Sequence, residues 1–313
     1  MSSPIIIVAG PTASGKSALA LQLAEQFGGE IVNADSMQVY RELRVLTARP
    51  SAEDEARVPH HLYGVMSVAE VCSAGAWLEM ALPCIDAIRR RGRLPVVCGG
   101  TGLYLKVLME GIAPVPAVAP EIVEQVKQLY ADEGGELFRA RLLEIDAAAE
   151  RLAPADSQRL IRAYAVAKAT GRTLAEWQQD QPTTPPLDAR FLRIVLTPDR
   201  DALYARINKR FDTMVGLGAL EEALAVAGMN LDPDLPALKA LGVPDFQRYA
   251  NGECELEEAV DKAKQLTRNF AKRQMTWFRH QLDADVAIQD FGAADAAPTS
   301  TAVRDFLRSP KAC

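Results

Sequence analysis

The chain has 313 residues, 49% of them hydrophobic and 24% charged, with a formal net charge of −6. This balance belongs to a globular protein with a sizeable core; it excludes disordered and fibrous classes, and the acidic excess argues against nonspecific nucleic-acid binding by the surface as a whole. Five cysteines without a C-x-x-C pair and only three histidines indicate neither a disulfide framework nor a zinc or histidine metal site, and the amino terminus has no basic segment and no apolar run of membrane length, so a cytoplasmic location without membrane association is expected.

Ile5-Ile6-Ile7-Val8 is a continuous β-branched run, the pattern of a parallel strand buried on both faces. A glycine-rich turn follows, then a predicted helix over 16–27 with Leu19, Leu23 and Phe27 at helical spacing and Gly28-Gly29 as its stop. Glu30 to Asn33 reads as a second strand ending at Asp35-Ser36. A helix over 74–91 precedes the strand Leu94 to Cys98, and Gly99-Gly100-Thr101-Gly102 launches another helix. Alternating strands and helices predict a doubly wound parallel sheet with ligands at the carboxyl ends of its strands.

Proline-rich stretches at 113–120 and 181–186 interrupt this rhythm, with mostly helical patterns between them. Residues 114–186 are therefore expected to form a helical insertion, leaving 1–113 and 187–313 as the core. Phe191 to Leu196 resumes the sheet, and Thr197-Pro198-Asp199 caps a helix carrying Arg206, Lys209, Arg210 and Phe211. A long helix over 256–280 bears Lys262, Lys264, Arg268, Lys272, Arg273 and Arg279, with no acidic residue between 262 and 279. The Ala/Ser/Thr-rich tail beyond Phe291 is expected to be poorly ordered.

Gly10-Pro11-Thr12-Ala13-Ser14-Gly15-Lys16-Ser17 matches Gly-x4-Gly-Lys-Ser/Thr directly after a strand and before a helix. Such a loop, of the nucleotide-binding and ATP-binding type, converges backbone N–H groups on phosphate oxygens. Lys16 adds a charge there, and Ser17 is placed to ligate Mg²⁺. A nucleotide hydrolase would also carry a strand ending in a Mg²⁺-holding Asp. Here Leu94 to Cys98 ends in Gly99-Gly100-Thr101, which favours an enzyme that uses the phosphates as a handle or leaving group. Asp35, just past a strand end, has three readings: general base, water-mediated Mg²⁺ ligand, or helix cap. Thr101 reads as a cap or as a group beside a closely approaching backbone. Adjacent His60 and His61 point different ways and suit packing or capping better than metal.

Several segments taken together resemble the bacterial tRNA dimethylallyltransferase family, the tRNA isopentenyltransferases. They are GPTASGKS (10–17), NADSMQVY (33–40), TARP with VPHH (47–61), VCGGTGLYLK (97–106), DSQRLIRA (156–163), RFDTM (210–214) and LTRNFAKRQMTWFR (266–279). The chain departs from the family pattern at Arg49, where Lys is usual, and at Val243, where Tyr is usual. The resemblance implies an α/β, P-loop NTPase-like parallel sheet with flanking helices and an inserted all-helical domain. It implies transfer of a dimethylallyl group from dimethylallyl diphosphate to N6 of the adenine at tRNA position 37, in tRNAs reading codons that begin with U. Gly10, Pro11, Thr12, Ala13, Ser14, Gly15, Lys16 and Ser17 would hold the diphosphate, with Mg²⁺ at Ser17. Asp35 would be the base, Thr101 would place the adenine, and Arg210 would be a second cation on the diphosphate. RNA contacts are implied for Asp35, Ser36, Met37, Gln38, Thr101, Gln158, Arg159, Leu160, Ile161 and Arg162. The insertion would grip the anticodon loop, and Lys264, Arg268 and Lys272 on one helix face offer phosphate contacts, unless that face is simply solvated. Trp277 and Phe278 read as core anchors. A monomer is expected. An ATP-dependent kinase and a noncatalytic RNA-binding module are the competing readings.

Overall fold

The computed structural model describes residues 3–180, 184–289 and 296–309. The chain divides into two compact units, Met1–Met109 with Pro186–Cys313, and Glu110–Pro185. In chain order the first unit opens with β1 (Ser3–Ala9), α1 (Lys16–Phe27), β2 (Gly29–Asn33), α2 (Ala52–Arg57) and the two-residue β3 (His60–His61). It continues through α3 (Ala74–Arg90), β4 (Leu94–Gly99) and α4 (Gly102–Glu110). The side chains of β1 alternate between two cores. Ile5, Ile7 and Ala9 pack on one face of the sheet with Val32 and Val97, whereas Ile6 and Val8 pack on the other with Ile31, Val96 and Cys98. All five of these β1 residues have no solvent exposure, which is why the run shows no polar alternation.

The second unit consists of α5 (Pro120–Leu143), α6 (Ser157–Thr170) and α7 (Leu174–Asp180), with a 3₁₀ turn at Ala147–Arg151. It has its own core of Val126, Phe138, Leu142, Leu160 and Ala163. Gly134 breaks the helical path of α5 with φ 75°, a value that glycine adopts without strain. The segments entering and leaving this unit touch at its neck, where a Cβ on Gly111 would lie 2.3 Å from the Thr184 carbonyl oxygen.

The first unit resumes with β5 (Ala189–Leu196), α8 (Arg200–Gly216), α9 (Ala219–Ala227), α10 (Val243–Ala250), α11 (Leu256–Gln281), β6 (Val286–Ile288) and α12 (Ala296–Arg308). Six parallel strands run in the order β3-β2-β4-β1-β5-β6, with Ile6 opposite Val96, Asn33 opposite Cys98 and Val8 opposite Ile194. β1 therefore lies between β4 and β5, and the carboxyl ends of β1, β2 and β4 share one edge. The tail corrects one expectation: residues 296–308 are helical, because Val303, Phe306 and Leu307 form an apolar stripe that packs with the α1 side of the sheet. Residues 290–295 lie outside the described set. No helix among the described residues is long and apolar enough to cross a membrane.

Candidate active site

The turn after β1 is shaped by close approach. A Cβ on Gly10 would lie 2.9 Å from Ser14 Oγ and 3.1 Å from the Leu196 carbonyl oxygen, so a larger residue would displace the loop. Ala13 sits in the left-handed region at φ 63°, a strained conformation of the kind stored at binding loops. Gly15 is the N-cap of α1 and supplies no side-chain cap, leaving the first N–H groups of that helix to an anion. Ser14 is 1% exposed and its hydroxyl has no hydrogen-bond partner. Ser17 is exposed at the mouth of the loop.

Two cations converge on this turn. Lys16 Nζ donates to the Pro11 carbonyl at 3.3 Å, and burial lowers its pKa while the nearby Asp35 opposes the shift. Arg210, on α8, donates through Nη2 to Thr12 Oγ1. Burial pushes the Arg210 guanidinium down to about 10, with Asp35 opposing and Arg206 adding to the effect. Arg206 and Lys209 join Lys16, Arg210 and the loop backbone around a cavity of about 580 Å³.

A neutral scaffold holds the carboxylate opposite. Asn33, with no solvent exposure, donates Nδ2 to the carbonyls of Asp35 (3.1 Å) and Leu62 (3.0 Å) and accepts the Asp35 N–H at 2.9 Å. One Asp35 oxygen accepts the Met37 N–H at 3.0 Å. The cap reading thus holds for Oδ1 as a local Asx turn, not as a helix cap. Thr101 Oγ1 accepts the Ser36 N–H at 2.9 Å and donates to Ser36 Oγ at 3.2 Å, so its hydroxyl ties the two loops together and does not cap α4. Gly99 allows this approach, since a Cβ there would meet the Ala34 carbonyl oxygen at 2.0 Å. Behind the loop, Trp77 Nε1 donates to the Asn33 carbonyl at 2.8 Å while its ring stacks on Tyr104 at 4.7 Å.

Asp35 and Arg210 both line a cavity of about 280 Å³. Its lining is mixed: Thr12, Asp35, Arg210, Lys239 and Arg273 are among the polar residues, and Leu46, Ile207, Phe211, Met214, Leu241 and Phe270 among the apolar ones. Leu46 is held there by Glu222, whose carboxylate accepts the backbone N–H groups of Arg44, Val45 and Leu46 at 2.7, 2.7 and 2.8 Å. Gln38 fastens the same loop, donating Nε2 to the Thr47 and Ala48 carbonyls at 2.8 and 3.0 Å.

Other expected site residues do not line this cavity. Lys264 is 16% exposed and paired with Asp212 at 2.6 Å, Arg268 donates to Asn208 at 2.7 Å, and Lys272 is exposed. On α6, Gln158, Arg159 and Arg162 are exposed and Ile161 is half-buried. Leu160 has no exposure; its side chain belongs to the core of the second unit, in contrast to the RNA contact expected of it, because it falls on the apolar stripe of α6. Phe278 is buried, and Trp277 fills the space a Cβ on Gly102 would take, 2.2 Å away. Among the described residues no group of three or more His, Cys, Asp or Glu could hold a metal. Sequence reasoning did not find the roles of Asn33, Glu222 and Gln274, a buried residue of α11 that bonds to both loops. Their partners lie across the chain, and nothing in local spacing signals them.

Comparison with known proteins agrees with this geometry. A family model described as IPP transferase matches residues 38–281, and one described as Isopentenyl transferase matches 3–61. A tRNA dimethylallyltransferase of Parvibaculum lavamentivorans is 53% identical over 98% of both chains. One of Rhodospirillum rubrum is 52% identical over 92% of this chain and 89% of its own. The crystal structure of a Bacillus halodurans tRNA isopentenylpyrophosphate transferase matches with TM-score 0.70 and 32% identity, covering 98% of this chain and 96% of its own. A eukaryotic dimethylallyltransferase acting on tRNA matches with TM-score 0.81 and 26% identity, covering 98% and 80%. With a buried P-loop, a facing carboxylate and relatives of this closeness over nearly its whole length, the chain belongs to the tRNA dimethylallyltransferase family.

Proposed function

We propose that the chain transfers a dimethylallyl group from dimethylallyl diphosphate to N6 of the adenine at tRNA position 37, in tRNAs reading codons that begin with U. The observation that carries this reading is the mixed lining of one cavity: Thr12 of the phosphate turn, Asp35 and Arg210, together with the apolar side chains of Leu46, Phe211, Met214 and Phe270. A short branched hydrocarbon suits those apolar side chains and its diphosphate the loop at residues 10–17.

The N6 lone pair attacks the allylic carbon as the carbon–oxygen bond to diphosphate breaks. The N6 proton passes to Asp35, and the negative charge collects on the departing diphosphate. Lys16, Arg210 and the N-terminus of α1 stabilise that charge. Thr101 holds the Ser36 backbone, and with it the reach of Asp35. The loop also suits Mg²⁺: Ser17 is an exposed residue whose hydroxyl bonds to the buried Cys98 thiol, and the buried Ser14 hydroxyl is unpartnered; Mg²⁺ bound by few protein groups and many waters is the usual arrangement. Held by Ser17 and diphosphate oxygens, Mg²⁺ would supply further charge neutralisation. The adenine must leave the anticodon-loop stack to enter, a small cost for an unpaired base. Ser36, Met37 and Gln38 line its approach, the helical insertion at 114–186 binds the anticodon loop through Gln158, Arg159 and Arg162, and Lys272 contacts phosphate.

The test is to incubate the protein with Mg²⁺, dimethylallyl diphosphate and an unmodified anticodon stem-loop carrying three consecutive adenines, then weigh the RNA. A gain of one dimethylallyl unit, lost when the target adenine is replaced, is the expected result. No gain, with phosphate moving from ATP to a small acceptor in a parallel assay, would overturn the reading in favour of a kinase.

A further inference from the structure

Gln274 is 6% exposed and lies on α11. Its Oε1 accepts the Thr12 N–H at 2.8 Å, and its Nε2 donates to the Gly100 carbonyl at 2.8 Å. One side-chain amide therefore spans the turn after β1 and the turn after β4. Each of these is tied onward to a group of the proposed chemistry. Thr12 Oγ1 accepts from Arg210, whereas Gly100 leads into Thr101, whose hydroxyl holds the Ser36 N–H beside Asp35. Gly100 makes room for the amide: a Cβ there would lie 2.4 Å from Gln274 Nε2 and 3.5 Å from Asp35 Oδ2.

We propose that Gln274 is a positioning residue that fixes the separation between the leaving-group cradle and the Asp35 loop, and so the alignment of attacking nitrogen, allylic carbon and departing oxygen. The inference rests on the roles given above to Arg210 and Asp35. Gln274 acts through Thr12 and Gly100 and not on the reacting atoms. An uncharged amide suits the task because it offers an acceptor to one loop and a donor to the other without adding charge beside a diphosphate. Ionised Glu keeps the acceptor but loses the donor, facing the Gly100 carbonyl with a second acceptor. Protonated Glu restores the donor. Met matches the length and offers neither.

The experiment compares wild type, Gln274→Glu and Gln274→Met as full-length proteins with Mg²⁺, dimethylallyl diphosphate and the stem-loop. Single-turnover rates at saturation, donor KM and stem-loop Kd are measured from about pH 5 to 9, a range that spans a Glu carboxyl raised by burial. Gln274→Met is expected to slow the single-turnover rate about 10- to 100-fold, as a misplacement on the order of 1 Å does, with donor KM and stem-loop Kd within about threefold of wild type. Gln274→Glu is expected to be as slow at the alkaline end and to recover relative to wild type as pH falls. Because that ratio is read within one folded protein, it decides the matter even if Gln274→Met does not fold. The inference is overturned by wild-type rates in both variants, by a loss that sits wholly in KM, or by a Gln274→Glu deficit that is the same at every pH. Failure of the wild type itself to modify the stem-loop would instead remove the reading on which the inference stands, and the inference with it.

Discussion

The leaving-group cradle and the loop that carries Asp35 are built by different means. The leaving-group end is largely local: eight consecutive residues, Gly10 to Ser17, make the turn and present a helix N-terminus, and distant residues add the Arg210 cation beside Lys16 and the Gln274 amide on the Thr12 N–H. The acceptor end is assembled from afar. The Asp35 N–H is held by Asn33, the neighbouring Ser36 N–H by Thr101 from the turn after β4, and the Asn33 carbonyl by Trp77 from α3. One end binds charge with cations and backbone. The other sets a single carboxylate, near Lys16 and Arg210, among uncharged hydrogen-bond partners, so that the proton-accepting role proposed for it depends on placement. The difference predicts that damage to the first end appears chiefly as lost donor affinity and damage to the second as lost turnover.

The strongest test of that contrast is Asp35→Asn. It keeps the size and the Asx turn but removes the proton acceptor, so the single-turnover rate should fall about 10²- to 10⁴-fold with stem-loop Kd nearly unchanged in a filter-binding titration. A comparable loss of binding would place Asp35 among RNA contacts and erase the contrast. Arg210→Ala should raise donor KM about 10- to 100-fold, the range for a hydrogen bond to a charged group. Burial works against the Arg210 cation and Asp35 supports it; the guanidinium stays charged through the mildly alkaline range, so kcat/KM for the donor should show no step there that Arg210→Ala removes. Glu222→Ala leaves three backbone N–H groups without their acceptor; urea unfolding should register a loss of about 1–3 kcal/mol, with a modest rise in donor KM as Leu46 loosens. The smallest effect belongs to Lys272→Ala, which should lower the slope of log Kd against log salt for the stem-loop by about one and leave the chemical step alone. An unchanged slope would assign this exposed lysine to the solvated face.

What the sequence made legible follows the same division. The β-branched runs, the glycine stops and the phosphate turn are local signals, and the parallel sheet, the turn at 10–17 and the strand-end position of Asp35 could be read from them. Asn33, Glu222 and Gln274 could not, because a polar residue's task is set by which backbone atoms it meets, and Gln274 meets Thr12 across 262 residues. The tail was misjudged for a related reason: its composition is that of a linker, but Val303, Phe306 and Leu307 recur at helical spacing and find an apolar face already exposed on the α1 side of the sheet. Leu160 shows the reverse error, in which a motif drew attention to a segment and included a residue that serves only its core.

The neck at Gly111 and Thr184 bears on how such a chain is assembled over time. Because the two backbones that bound the insertion meet there, the host sheet need close only a short gap and not a long loop, whatever length of chain lies beyond. The interruption therefore adds little to the entropy of closing the surrounding unit, and a change in the length of the inserted helices leaves that gap as it is.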